Sequence, residues 1–563
     1  MTDNKKISVI SLGGRGEVGK NMIVVENEED MIVLDTGTLF PDDEKYGVDL
    51  IIPDISYLEK NQKKLRGIIF SHGHEDHIGA IPYLLEKINP PLYGTDLTIG
   101  LIKDRLENNG LIDKANLNTI GSNIINKDLE LGSFKIEFCH VNHSIPASAA
   151  MGIHTPAGLI IYTGDYKFDQ TPINNPQTDY DKLASWGRQG VLALLGDSTN
   201  AEHEGHTLSE RVVARSLEES FSLVESRIII ATFSSNIDRI QQILKAAKKN
   251  NRKIAISGRS MANTIEIASK LAYLDIPEGM IISINEANKM KPEEIVLLMT
   301  GSQGEYRAAL SRLARNEHRE ISIIPGDTVY LSSSPIPGNE KAIGETINML
   351  YSKGAKVIYN GMIDLHASGH ACQEEIKLMI NLTKPKYLIP VHGEFRHLYH
   401  HAQLARQVGI PVGNIIIALN GDRVEISPDK AAVTGKVAVG ELYIEGYQIS
   451  KTDELVLTER RKLSENGFIN IILAVDQKLN LYSRPLLISR GFIYKNELQA
   501  VLNDAEEIVV KALQTLRSDK NKSSDPSLLK NRINSILGKY FYEKTNRSPL
   551  IITELLIIKN TNN

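Results

Sequence analysis

A chain of 563 residues is longer than one hydrophobic core organises, so three or four domain-sized units are expected. With 42% hydrophobic residues, 24% charged residues and 41 glycines, the composition is globular and excludes fibrous and disordered classes. The formal charge of -5, from 64 Lys and Arg against 69 Asp and Glu, leaves any nucleic-acid contact to a local basic groove rather than to overall charge.

The first 65 residues alternate in short apolar runs, "KISVISL", "NMIVVEN" and "MIVLDTG", separated by Gly-rich or acidic turns, which predicts β-structure. Gly14, Gly16 and Gly19 in "LGGRGEVGK" meet the spacing of a dinucleotide fingerprint, and Asp35 follows about 20 residues on. That fingerprint needs a helix after the glycines, whereas hairpin-like alternation follows here, so a Gly-rich turn between strands is expected.

From "GIIFSHGHEDHIGAIPYLLEKI" onward, β-rich runs end in small or polar residues and feed amphipathic stretches, so the fold class is α/β. Four such units, beginning at "RIIIATFSSN", "KIAISGRSM", "EIVLLMTGSQGE" and "TVYLSSSPIPGN", predict a parallel sheet of their own within residues 207–375. Ligands of such sheets sit at the carboxyl ends of the strands. After about residue 445 a polar stretch reads as a linker, followed by strands and two helical patterns.

"MTDNKKISVI" carries no signal-peptide core, and no run approaches the roughly 18 apolar residues that span a bilayer, so a cytoplasmic protein with no membrane contact is expected. The two cysteines, Cys139 and Cys372, fit a reducing compartment and read as small buried hydrophobes.

The densest chemistry lies in "SHGHEDHIGA", where His72, His74, Glu75, Asp76 and His77 follow a strand and precede a helix. At such a junction side chains converge instead of alternating across a sheet, and imidazole with carboxylate is a donor set for zinc or manganese. Further donors follow apolar runs at His143 in "HVNHSIP", Asp165 in "IIYTGDYKFD" and His392 in "YLIPVHGEF".

These elements resemble the metallo-β-lactamase superfamily, whose His-x-His-x-Asp-His signature is matched by His72, His74, Asp76 and His77. The long insertion between Asp165 and His392, with Asp197 in "LLGDSTN" and His370 in "LHASGH", is similar to the β-CASP nuclease branch. "GGRGEVGKNM", "FPDDEKYGVD", "GRSM", "TGSQGE", "SSSPIPGN", "KPKYLIPVHGEFRHL", "SRGFIY" and "YEKTNRSP" extend the likeness to the bacterial ribonuclease J family over nearly the whole chain. Departures from that pattern are "HVNHSIP" before and around His143, Tyr306 where a proline is usual, and the divergent "GELYIEGYQISKTDE".

The resemblance implies an αββα metallo-β-lactamase sandwich formed by residues 1–206 and 376–445, an inserted β-CASP α/β domain at 207–375, a linker at 446–462 and a small α+β oligomerisation domain at 463–563. It implies two Zn2+ per subunit, with Mn2+ or Mg2+ as alternatives. His72, His74 and His143 would hold one ion and Asp76, His77 and His392 the other, with Asp165 between them and Asp35 orienting a ligating histidine. The implied catalytic residues are His370, as general acid, with Asp76 and Asp197.

Ser332, Ser333, Ser334, His366 and Ser368 would receive a 5′ phosphate, and Arg259 and Arg307 would meet RNA phosphates. The implied activity is 5′ to 3′ exonuclease on 5′-monophosphate RNA with endonuclease cuts, in mRNA decay and rRNA maturation. A homodimer, a homotetramer or a heteromer with a paralogue is expected, with other RNA decay proteins or the ribosome as further partners. The rival readings are a hydrolase of small esters, a DNA-directed nuclease, and a weakly active paralogue that serves as an RNA-binding or assembly subunit.

Overall fold

The computed structural model describes residues 6–41, 47–121, 128–335, 339–446, 448–449, 454–476, 480–518 and 526–558. Parts of "FPDDEKYGVD", "SSSPIPGN" and the expected linker, at 42–46, 336–338, 447 and 450–453, lie outside the described residues. The chain divides into two compact units, Met1–Phe40 with Asp49–Ile449, and Pro41–Val48 with Ser450–Asn563.

In the first unit two sheets face each other. One has the strand order Ala431–Lys436, Asp422–Ile426, Ile7–Gly13, Met22–Glu26, Met31–Leu34, Leu65–Ile69, Leu92–Gly94, Leu117–Thr119. The other runs Tyr387–Val391, Val191–Asp197, Gly158–Tyr162, Ala149–Thr155, Phe134–His140, Asp128–Leu131. Val9, Val25, Ile32 and Ile69 of the first sheet and Ile136, Met151, Ile160, Leu195 and Ile389 of the second form one buried cluster between them.

The outward residues of the same strands are also apolar, because helices cover both outer faces. Ile102 and Leu106 of Asp96–Asn108 pack with Val24, Val33 and Ile68. On the far side Leu183 and Trp186 of Tyr180–Gln189, Ile376 of Gln373–Thr383 and Leu404 of Phe395–Gln407 pack with Ile161, Leu194 and Leu388. The result is the αββα sandwich expected from the resemblance.

The Gly-rich stretch is a turn between the antiparallel strands Ile7–Gly13 and Met22–Glu26. Gly14, Gly16 and Gly19 have φ of +86°, +80° and +115°, a region that glycine enters without a Cβ penalty. No helix follows them, in line with the rejection of a dinucleotide site.

The inserted sheet is fully parallel, in the order Ile281–Ile282, Lys253–Ser257, Ile295–Met299, Ile228–Ala231, Thr328–Leu331, Lys356–Ile358. It lies inside the stretch 207–375 read from the repeated grammar. Buried clusters on its two faces include Ile228, Ile230 and Val296 on one and Ile229, Leu297 and Val329 on the other. Beyond Met299 and Leu331, on either side of the central strand, lie the loops carrying "TGSQGE" and "SSSPIPG".

In the second unit, strands Leu486–Arg490, Phe468–Val475 and Leu550–Ile557 form a sheet. Ile469, Ile471 and Leu473 on one face pack with Val509 and Leu513 of helix Lys495–Ser518 and with Ile533 and Phe541 of helix Pro526–Thr545. A helix over Glu454–Asn466 occupies part of the stretch expected as a linker. Its polar, weakly patterned sequence carries no strong apolar stripe, which is why periodicity alone reads it as unstructured.

Candidate metal centre

Six strand ends deliver the polar residues of one site. Asp35 follows Met31–Leu34, His72 and His74 follow Leu65–Ile69, His143 follows Phe134–His140, Asp165 follows Gly158–Tyr162, Asp197 ends Val191–Asp197, and His392 follows Tyr387–Val391. Asp76 and His77 lie in the short helix Glu75–Ile78 directly after His74. Asp35 and His392 take positive φ, +60° and +52°, a conformation that non-glycine residues hold only where surrounding structure enforces it.

Donor atoms of His72, His74 and His143 lie within 4.8 Å of one another, as do those of Asp76, His77, Asp165 and His392. Asp165 Oδ2 links the two groups: it is 3.7 Å from His72 Nε2 and 3.8 Å from His143 Nε2, and 3.2 Å from His77 Nε2 and 3.3 Å from His392 Nε2. A third grouping joins Asp165 and His392 to Asp197 and His370.

Behind the donors is a layer of hydrogen bonds. Asp35 Oδ2 accepts from His77 Nδ1 at 2.8 Å, from Tyr162 Oη at 2.7 Å and from Ser71 Oγ at 2.8 Å, while Oδ1 accepts from the Ser71 backbone N–H at 2.8 Å. His143 Nδ1 donates to the Gly369 carbonyl at 2.7 Å. A Cβ at Gly369 would lie 2.5 Å from His143 Cε1, so only glycine lets the His370 loop approach this closely. His370 Nδ1 is 2.8 Å from Asp197 Oδ2, and Asp197 Oδ1 accepts from Thr199 Oγ1 at 2.8 Å and its N–H at 3.0 Å.

The electrostatics divide the histidines. Burial, reinforced by neighbouring imidazoles, holds His72 and His143 well below their usual pKa, and burial lowers His74 to about 4, so these rings keep lone pairs for a cation. At His77 burial pulls the same way, but Asp165, Asp76 and Asp35 outweigh it and raise the value well above the ordinary one. For His370, burial is overcome by Asp197 and Asp165, which lift it to about 9.

The donor set fits a metal. Asp165 Oδ1 and His392 Nδ1 are buried with no hydrogen-bond partner among the described residues, and a buried carboxylate oxygen left unsatisfied is expensive. His/Asp sets of this composition are the ligands zinc and related divalent ions take.

The residues expected at a 5′ phosphate are placed unevenly. Ser332 is fully buried, and its hydroxyl donates to the Leu365 carbonyl at 2.7 Å and contacts Arg239. Ser333 Oγ and the Ser334 carbonyl both accept from Gln303 Nε2, at 2.9 and 2.8 Å. Ser368 Oγ accepts from Asn200 Nδ2 at 2.8 Å, and His366 Nδ1 is buried without a partner among the described residues. Arg259 is exposed, and Arg307 is exposed beside Asp49 at 3.3 Å.

Sequence reasoning did not single out Ser71, Tyr162, Asn21 or the Glu210–Arg239 pair. Asn21 Nδ2 is 3.1 Å from His77 Nε2. Arg239 is fully buried and bonds Glu210, Gln242, Ser332 and the Leu365 carbonyl. Glu210 also lies 3.5 Å from Lys167, two residues after Asp165. Both cysteines are buried and free.

Four family models match the chain: "Metallo-beta-lactamase superfamily" over residues 15–209, "Ribonuclease J, beta-CASP domain" over 225–350, "Zn-dependent metallo-hydrolase RNA specificity domain" over 355–414, and "Ribonuclease J C-terminal domain" over 455–557. The chain is 40% identical over 552 residues to Ribonuclease J 1 of Streptococcus pyogenes serotype M3, and 39% identical over 551 residues to Ribonuclease J2 of Bacillus subtilis, each comparison covering 98% of both chains. It is 38% identical over 566 residues to Ribonuclease J of Synechocystis, covering 98% of this chain and 87% of that protein. A crystal structure of a protein of unknown function from Enterococcus faecalis shares the fold, with a TM-score of 0.53 and 17% identity over 75% of this chain and 100% of that one. With identity near two residues in five from end to end and matching models across both compact units, the chain belongs to the ribonuclease J family.

Proposed function

We propose that this metal-dependent ribonuclease carries two cations and degrades RNA 5′ to 3′ from a 5′-monophosphorylated end, with endonucleolytic cuts where a single strand threads past the centre. The observation that carries the reading is Asp165 Oδ2, which approaches ring nitrogens of both donor groups at 3.2 to 3.8 Å. His72, His74 and His143 would hold one ion and Asp76, His77 and His392 the other, with Asp165 shared. When bound, two divalent cations lower the pKa of water and offset charge developing on a phosphodiester; zinc is the ion proposed, with manganese or magnesium as alternatives.

The chain's own groups do the rest. Asp35 fixes the ring plane and tautomer of His77, so that Nε2 faces the donor cluster. Asp197 accepts from His370 Nδ1, which leaves His370 Nε2 as the atom that gives a proton to the leaving 3′ oxygen. Ser333, Ser334, His366 and Ser368 are proposed to receive the 5′ phosphate, with Ser332 anchoring their loop; Arg259 and Arg307 are proposed to meet the RNA backbone.

The domain limits proposed are 1–206 with 376–445, 207–375, 446–462 and 463–563; the matches over 15–209 and 225–350 support the first sandwich segment and the insertion, while the C-terminal match begins at 455, within the stretch given as linker. Leu486, Ile488, Ile552 and Leu556 are exposed on the sheet of the second unit, which supports assembly into a homodimer or homotetramer, or with a paralogue. Roles in mRNA decay and rRNA maturation in the cytoplasm, alongside other RNA decay proteins or the ribosome, go with this reading. No described helix is long and apolar enough to cross a membrane. A purely structural role is not favoured, since every donor position is filled.

The test is digestion of one RNA carrying a 5′ monophosphate or a 5′ triphosphate by wild type and His74→Ala, with zinc or manganese. Mononucleotides released from the monophosphate RNA by wild type alone are expected. Equal decay of both RNAs by both proteins would overturn the reading.

A further inference from the structure

We infer that Tyr306, backed by Arg315, is a stacking platform for a nucleobase of single-stranded RNA within the first few nucleotides of its 5′ end. The inference rests on the ribonuclease reading above and adds a binding residue to it.

Tyr306 lies in the loop that follows Ile295–Met299, beside the central strand of the inserted sheet, where parallel sheets place their ligands. The base of this loop is fixed. Gln303 is buried and donates to Ser333 Oγ and to the Ser334 carbonyl, and a Cβ at Gly304 would lie 2.6 Å from the Ala342 backbone. Three residues span at most roughly 11 Å, so Tyr306 stays close to the serines proposed to receive the 5′ phosphate.

The ring itself is prepared for one occupant. Arg315 lies over it, with the guanidinium carbon 3.8 Å from the ring centroid, and is pinned by Glu317 at 2.8 Å and by the Tyr306 carbonyl at 2.6 Å. Tyr306 is nevertheless 69% exposed, so a large aromatic surface is held still and left in water. A ring already immobilised loses little entropy on binding, and base stacking on aromatic side chains tolerates any sequence, as suits the proposed 5′ to 3′ exonuclease.

The neighbouring charge fits a strand passing this point. Arg307, the next residue, is 89% exposed, and its contact with Asp49 at 3.3 Å is a surface pair that a phosphate can displace. Asp49 belongs to the segment whose Ile51 pairs with Leu39, next to Phe40, which is 66% exposed. Through Arg307 the loop therefore touches the sandwich, next to the segment paired with the strand end that carries the exposed Phe40.

The test uses the full-length metal-loaded protein and a single-stranded 5′-monophosphorylated RNA of about ten nucleotides, with phosphorothioate linkages to slow hydrolysis and 2-aminopurine at successive positions. Wild type is expected to quench 2-aminopurine at one of the first positions. Tyr306→Ala should lose that quench and bind roughly tenfold more weakly, while Tyr306→Phe keeps both. All three should hydrolyse bis(p-nitrophenyl) phosphate within about twofold of one another, since Tyr306 is exposed and outside the donor cluster. Wild-type quenching and affinity in Tyr306→Ala would overturn the inference, as would a Phe variant that fails like Ala. If wild type binds this RNA but digests no unmodified RNA, the ribonuclease reading fails, while the quench comparison still decides the platform.

Discussion

His370 and Asp197, 173 residues apart in sequence, meet through Nδ1 and Oδ2 at 2.8 Å. The strand Val191–Asp197 ends with the aspartate, Thr199 fixes its second oxygen, and the loop carrying His370 reaches it across Gly369. The pair points one imidazole nitrogen back to an acid and frees the other for chemistry.

His370→Ala is therefore expected to lower kcat on RNA by roughly 10²–10⁴-fold with metal content unchanged, read by steady-state kinetics and plasma mass spectrometry. Asp197→Asn should produce a smaller loss in kcat. Loss of metal in His370→Ala would make this residue a ligand and not a proton donor.

Asp35 should act through metal affinity. Asp35→Ala removes the acceptor of His77 Nδ1 and leaves Ser71 and Tyr162 without theirs, so affinity should fall about 10–100-fold in a chelator competition. Tyr162→Phe deletes one of those bonds and should cost less. An Asp35→Ala protein with wild-type affinity would remove the orienting role.

Chelation should destabilise the first unit, because Asp165 Oδ1 and His392 Nδ1 are buried without partners among the described residues. A cation at about a thousand times its dissociation constant adds roughly 4 kcal/mol, visible as a higher Tm by calorimetry. Asp165→Asn should respond to metal less than wild type; an equal response would place the ion elsewhere.

Asp238 gives a pH dependence distant from the donor cluster. Burial, then the charge of Glu210, raises its pKa to about 7 against the opposing pull of Lys167, Arg239 and a neighbouring asparagine. The folded state holds this proton more tightly than the unfolded chain, so its stabilisation is present below about pH 4 and is lost as the pH rises to about 7. Asp238→Asn should gain about 2 kcal/mol over wild type at pH 8 relative to pH 5, by denaturant midpoints. The same difference at both pH values would show that Asp238 does not titrate.

Arg239→Met should be destabilising, by about 3 kcal/mol, because it removes the nearer cation of the buried Glu210 carboxylate and leaves it Lys167 at 3.5 Å and Gln242. The double variant with Glu210→Gln should recover part of the loss. Additive losses in the double-mutant cycle would mean that the two side chains are not coupled.

Much of this was legible in the sequence, for local reasons. The junction from Ile69 to His74 announces itself because a strand, a turn and a helix are contiguous, and the donors at His143, Asp165 and His392 each follow a run of apolar residues. The repeated strand, loop and helix grammar set the inserted sheet within 207–375, and the absence of a helix after Gly19 disposed of the dinucleotide reading. Tyr162 and Arg239 were hidden for the converse reason. A tyrosine inside "GLIIY" reads as core, and Arg239 on an amphipathic helix reads as solvated, until tertiary packing puts Asp35 against one and Glu210 against the other. The helix Glu454–Asn466 was missed because its polar sequence has no apolar stripe to mark a buried face.

The donor set is drawn from both ends of the insertion, and this orders events during synthesis. Asp165 leaves the ribosome some 227 residues before His392. At 5–20 residues per second the interval is on the order of ten seconds or more. Throughout it the second donor group lacks a member, and the loop carrying His370 arrives only shortly before that member does. On the proposed donor assignment a nascent chain holds an incomplete centre, and the ability to cut is expected only once the inserted sheet has been made and Tyr387–Val391 has paired beside Val191–Asp197.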